Sequence, residues 1–273
     1  MANEEQLALL KRGVAEWNQW RASNPEVTPD LKGALLTQVN LRSVNLSGAL
    51  LAGANFVGSG LEEANLAGAD LTQANLSGVD FNGATLNRAV LTSANLLGAY
   101  LGSATLIEAD LSYAALNRVD LTRADLSRAT LKQASVIGTD LTRANLADTN
   151  LEAANLSRTE LGRVDLSRAC LASANLNNAR LLSATLVAAN LSDANLSNTR
   201  FNRADLSQSQ LNRANLEAST LMGANLTGAD LSGANLANAN LSGANLSDAR
   251  MDGTVLDAAT LNNATMPDGL LSH

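Results

Sequence analysis

The chain has 273 residues and a formal net charge of −7 at pH 7, with 46% apolar, 3% aromatic and 16% charged residues. The apolar share excludes a disordered chain, and the scarcity of rings excludes a core bulked by Phe, Trp and Tyr. One cysteine allows neither a disulfide framework nor a cysteine-based zinc site, and the single histidine, His273, is the last residue, which removes the usual Ser-His-Asp and Cys-His catalytic arrangements.

The opening residues Ala2-Asn3-Glu4-Glu5 are acidic where a signal peptide is basic. No apolar run approaches the ~20 residues of a membrane span. These features predict a soluble, cytoplasmic chain with no membrane association. Over residues 4–21, Leu7, Leu10, Val14 and Trp17 follow one another at spacings of three, four and three, one apolar stripe on a single helix. Asn24-Pro25 then ends that helix.

From Leu31 to Met266 every fifth residue is large and apolar, 48 positions in one unbroken phase, with Phe56, Phe81, Val136, Phe201, Met251 and Met266 as the departures from Leu. Two residues before each centre, from Ala34 to Ala264, stands only Ala, Val, Ser or Thr. A period of five suits neither ordinary element. On an α-helix, five residues advance about 500°, so successive centres form no stripe. On a straight strand the side chains alternate with period two, so an odd period sends successive centres to opposite faces. All centres point inward only if the chain turns a corner in every repeat, winding as a parallel coil of short extended sides. The second inward position must be small because a narrow tube has no room for two large side chains per side.

Segments such as Ala64-Asn65-Leu66-Ala67-Gly68, Ala124-Asp125-Leu126-Ser127-Arg128 and Ala234-Asn235-Leu236-Ala237-Asn238 resemble the A(D/N)LXX motif of pentapeptide repeat proteins, over about 236 of the 273 residues. The resemblance implies an all-β solenoid: a right-handed quadrilateral parallel β-helix with four repeats per coil, hence about 12 coils and a rod of roughly 55–60 Å at the usual strand spacing. The expected organisation is an N-terminal α-helical cap and linker over 1–28, the β-helix over 29–268 and a tail over 269–273. In this arrangement Leu7, Leu10, Val14 and Trp17 cover the first coil, whose open edge would otherwise invite aggregation. The leader also resembles one found on cyanobacterial members. The short tail leaves the last coil either covered by Leu270 and Leu271 or free to meet a second copy, a possible homodimer through the C-terminal edge.

Function must then lie on the outward positions. Residues 20 apart stack in columns in such a coil. One column holds Arg123, Arg143, Arg163 and Arg203, and on the same side Asp120, Asp140 and Glu160 precede Arg180 and Arg200. Another reads Asn155, Asn175, Asn195, Asn215 and Asn235, whose amides can bond along the stack. Charge is uneven: net −2 over 1–30, −3 over 31–110, +3 over 111–213 and −5 over 214–273. These arginines, with the adjacent acids, are the candidate interaction surface for an acidic protein partner of unknown identity. No cleft, phosphate-binding glycine fingerprint or regular threonine column is present, and Cys170 stands outward near Arg168. No residue pattern calls for a cofactor, a metal or catalysis. The reading is a non-enzymatic structural or regulatory interaction scaffold without direct nucleic-acid binding. The alternative is a DNA mimic that binds DNA gyrase, a role found among pentapeptide repeat proteins whose rods are more uniformly acidic.

Overall fold

The protein is described from a computed structural model over residues 2–272; the histidine considered for catalysis, His273, lies outside the described residues. The chain forms two compact units, one ending at Ser135 and one beginning at Val136.

The first unit opens with two helices, α1 over Glu4–Arg12 and α2 over Val14–Ser23. The single helix expected over residues 4–21 is therefore broken. Gly13 takes φ 136° and ψ 160°, a conformation open to glycine alone among the ordinary residues, and its N–H bonds the Leu10 carbonyl. Asn3 caps α1 by accepting a bond from the Gln6 N–H at 3.0 Å. The break redistributes the apolar stripe: Leu10 and Trp17 are fully buried, while Leu7 and Val14 are only half-buried. The second helix ends at Ser23 with Asn24 as its cap, ahead of Pro25.

From Asp30 onward each unit repeats one local structure. Residues 31–34 form a turn closed by the Ala34 N–H on the Leu31 carbonyl at 3.0 Å, with Gly33 at φ 67°. The same turn recurs every five residues, and its third residue always has positive φ, at Arg143 (62°) or Asn178 (62°) as at the glycines. Between turns a single residue pairs in parallel with the residue 20 further on, as in Asn55↔Asn75 in the first unit and Asn195↔Asn215 in the second. Four five-residue repeats thus complete one turn of a coil. The bonds between turns are regular: the Leu156 N–H donates to the Asn175 carbonyl at 2.7 Å, and the Asn175 N–H to the Ala154 carbonyl at 2.9 Å.

The inward assignment made from the period holds from Leu31 to Leu246, every centre being buried. Three phenylalanines, Phe56, Phe81 and Phe201, are accommodated with no exposed surface. The small inward positions are buried as well, save for Val39, Thr254 and Ala259. Most of those that carry a hydroxyl bond a backbone carbonyl, as Thr199 does to Leu176 at 2.9 Å and Ser59 to Leu36 at 2.6 Å, which removes most of the cost of burying it; the Ser219 hydroxyl is buried without such a bond.

At the end of the second unit the tail turns back. Thr265 and Leu271 pair antiparallel, with the Met266 N–H on the Leu270 carbonyl at 2.7 Å. The side chains of Leu270 and Leu271 stay 67% and 60% exposed, so they do not cover the final turn.

Candidate protein-interaction surface

Each repeat presents three outward side chains: the one before the centre and the two after it. The first is positioned by its own turn. Where it is Asp or Asn, its Oδ1 accepts the N–H two residues on, as at Asp120 from Thr122 (2.9 Å) and Asp140 from Thr142 (2.9 Å). This explains the preference for Asp and Asn just before the centre. The carboxylates of Asp120 and Asp140 are thereby turned to the backbone.

The amide column behaves as its spacing suggests. Asn175 donates to Asn155 at 3.3 Å, Asn195 to Asn175 at 3.2 Å, and Asn235 to Asn215 at 3.1 Å. Each Oδ1 also takes a backbone N–H, so this column is structural.

Ion pairs join residues about one turn apart. In the first unit Glu108 lies between Arg88 at 2.7 Å and Arg128 at 3.0 Å. In the second unit Arg168 grips Asp148 with two bonds of 2.6 and 2.7 Å, and Arg213 grips Asp193 with two of 2.7 Å. The bond from Arg88, then its charge, holds the Glu108 carboxyl below its ordinary range, and the bond from Arg213 does the same for Asp193. Engaged with Asp148, the Arg168 guanidinium is not left free for the half-buried Cys170.

The predicted arginine column divides between the units: Arg123 in the first, Arg143, Arg163 and Arg203 in the second. All four side chains are exposed, and none has an ion pair among the described residues. Of the predicted acids, Glu160 bonds Arg180 at 3.0 Å, while Asp120 and Asp140 serve their turns.

Within the second unit the wall between the corners at 158 and 163 is distinctly basic. It carries Arg143, Arg158, Arg163, Arg180, Arg200 and Arg203 against Asp140 and Glu160, although the residues from 136 onward hold nine basic and thirteen acidic side chains. Arg158, Arg180 and Arg200 line one depression beside Glu160, Asn178 and Asn198. Two large apolar side chains stand on the same wall, Leu182 (55% exposed) and Met222 (45%). The sequence columns contained the arginines but gave no weight to these apolar residues, because a lone Leu or Met at an outward position carries no periodic signal.

Sequence reasoning placed Trp17 in the cap but missed its polar bond and the polar residues beside it that hold the helices to the coil. Trp17 Nε1 donates to the Asn45 carbonyl (2.8 Å), Asn18 bonds both the Ser43 carbonyl (3.0 Å) and the Asn45 N–H (2.8 Å), and Gln6 accepts the Asp30 N–H (2.7 Å). Arg21, only 8% exposed, donates to the Val27 and Ser47 carbonyls at 2.6 and 2.9 Å, and its burial pulls its pKa down.

No group of three or more metal-ligating side chains occurs among the described residues, and no helix there is long and apolar enough to cross a membrane.

A coil of four-repeat turns, with every centre inward and the polar residues outward, defines a repeat solenoid. The family model for pentapeptide repeats matches residues 30–181 and 189–268, and the chain belongs to the pentapeptide repeat family. With membership goes the right-handed β-helix that the motif implied, preceded here by two helices. Members are generally structural or interaction proteins. Among solved structures the chain is similar to HetL, a pentapeptide repeat protein involved in heterocyst differentiation regulation from the cyanobacterium Nostoc sp. strain PCC 7120, at 31% identity over 95% of this chain and 99% of that one, with a TM-score of 0.37. It is also similar to QnrB1, a plasmid-mediated fluoroquinolone resistance protein, at 18% identity over 69% and 86% of the two chains (TM-score 0.44). A pentapeptide repeat protein of the Arabidopsis thaliana thylakoid lumen matches at 27% identity over 37% of this chain and 68% of that one (TM-score 0.26). No curated relative matches the chain.

Proposed function

We propose that the protein is a non-enzymatic interaction scaffold, structural or regulatory, that binds a protein partner through the outward arginines. The observation that supports this is the set of exposed guanidiniums at Arg123, Arg143, Arg163 and Arg203 with no ion pair among the described residues. Six other arginines, Arg168 and Arg213 among them, are paired across turns. Unpaired guanidiniums retain their capacity for bidentate bonds to a partner's carboxylates. In this reading residues 1–28 cap the coil, 29–268 form it, 269–273 are a tail, and the protein works in the cytoplasm. Similarity to HetL makes a regulatory role in a cyanobacterial cell the first to examine.

Affinity capture from a native lysate, repeated with Arg123, Arg143 and Arg163 changed to Glu, tests the proposal. The expected result is a partner retained by the unchanged protein and lost by the variant; equal retention overturns the arginine surface. Duplex mimicry with gyrase binding asks for acidic walls, and the six arginines on one wall of the second unit speak for the scaffold instead. Supercoiling inhibition by purified protein at micromolar excess would reverse that preference.

The C-terminal edge fits a second copy of the chain. Met251, Leu256, Leu261 and Met266 are partly exposed, and the N–H groups of Met251 and Leu256 have no bonding partner among the described residues. Light scattering of the intact chain and of one ending at Met266 should show a dimer in at least one; two monomers would end the idea.

A further inference from the structure

The basic wall of the second unit has a shape as well as a charge. Its repeat centred on Leu161 carries Gly162 where neighbouring turns carry Thr142 and Leu182. A β-carbon placed at Gly162 would meet only the Thr142 methyl, at 4.0 Å. The missing side chain opens a depression of about 380 Å³. Its floor is Gly162, its sides Thr142 and Leu182, and its rim Glu160, Arg180 and Arg200. The Asn202 Oδ1 at its edge is buried without a hydrogen-bond partner.

We infer that this depression seats a large apolar side chain of a partner protein's acidic segment, with Arg158, Arg180, Arg200 and Arg203 holding the flanking carboxylates. The inference rests on the scaffold reading and names the chemistry of the partner. Three features choose the occupant. First, six of the nine basic residues from 136 onward face one wall beside only two of thirteen acids, so the attraction is local and for anions. Second, Leu182 and Met222 lie exposed within that wall, and an apolar anchor ringed by arginine is the composition of a protein interface. Third, the rest of the chain repels a long polyanion, since the net charge is −7 and the residues after 213 carry −5 of it. A phosphate backbone would gain nothing from Leu182 or from the notch over Gly162. Burial of one leucine side chain there contributes to affinity only for a partner that has one.

The experiment uses the full chain and a fluorescein-labelled peptide of about ten residues, a leucine flanked on both sides by Glu and Asp. Two further probes accompany it: the same peptide with serine for leucine, and a single-stranded oligonucleotide of equal charge. Anisotropy titrations should show the leucine peptide binding roughly tenfold or more tightly than the serine peptide and the oligonucleotide. Binding should weaken by at least about tenfold in the double variant R180E/R200E and also in L182D, and weaken as salt rises. R168E, which alters a paired arginine outside the basic wall, should bind as the unchanged protein does. Melting curves of each variant confirm that the coil is intact, as expected for exposed positions. No binding up to about 1 mM overturns the inference. So does equal affinity for the serine peptide, undiminished binding by R180E/R200E, or a preference for the oligonucleotide. Any of these results leaves the broader scaffold reading standing, because that reading falls only if lysate capture is indifferent to the arginine column.

Discussion

At the start of the coil, the carbonyls of Asn45 and Ser47 and the Asn45 N–H are the groups that would bond a preceding turn, and helix α2 supplies donors from Trp17 and Arg21 and an acceptor from Asn18 in its place. At the end of the coil, the N–H groups of Met251 and Leu256 point onward with no partner among the described residues. The inward side chains follow the same division. Leu31, Leu36, Leu41 and Leu46 of the first turn are at most 3% exposed, whereas Met251, Leu256, Leu261 and Met266 of the last are partly open. A helix thus closes a β-coil by imitating the hydrogen bonds of a turn with its side chains and covering the tube with Leu10 and Trp17. An edge lacking such a cover keeps both its apolar core and its backbone groups available.

The contrast between the edges can be broken first at its strongest point. Trp17→Ala removes the ring that fills the mouth of the tube along with its bond to Asn45, and should cost about 3–5 kcal/mol in chemical denaturation. If instead the loss is below about 1 kcal/mol, the helices are bystanders and the two edges are equivalent. A paired substitution sharpens the comparison along the coil. Leu156→Ala, in a fully buried centre, should cost about 2–5 kcal/mol, and Leu256→Ala, at the open end, markedly less. Equal losses would mean that the last turn is covered in solution, as a dimer would cover it. Next in size, Ala144→Leu overpacks the tube and should cost about 1–3 kcal/mol, while Arg143→Leu next to it should be near neutral. Equal melting temperatures for these two would sink the inward assignment itself.

The smallest effect is electrostatic. The carboxyls of Glu108 and Asp193 titrate below their ordinary range because Arg88 and Arg213 bond them. Such groups add stability that is present above their unfolded-state pKa and lost as pH falls through the folded-state value. Melting temperature should therefore hold between neutral pH and about pH 5 and decline below about pH 4. Changing Arg88 and Arg213 to Gln should flatten that decline. A decline unaltered by both changes would show that these exposed pairs contribute nothing, the usual lot of surface ion pairs.

What the sequence made legible follows from where its regularity lies. The five-residue period identified the inward centres because nothing else in a chain recurs at that spacing, and the Asn column was readable once four repeats made a turn. The helical region was less so. Its apolar stripe ran across Gly13, and only the backbone shows that Gly13 divides it, leaving Leu7 and Val14 half-buried. The residues that dock the helices, Gln6, Asn18 and Arg21, are ordinary polar side chains whose targets depend on how the helices meet the coil. On the wall, the arginines were visible as a column, but Asp140 was read as facing them, and its commitment to the Thr142 N–H emerges only from the turn geometry. The notch at Gly162 was invisible for a related reason: it is made by an absence between Thr142 and Leu182.

The turn that closes every repeat has one further consequence. Since each five-residue unit ends with the chain back in phase, five residues added or removed at a corner would leave the Leu and Ala core intact and advance every later side chain in that unit by one wall. Twenty would restore the original wall. In such a chain the outer pattern is written independently of the fold, and a short duplication is enough to deal the same arginines into a new arrangement.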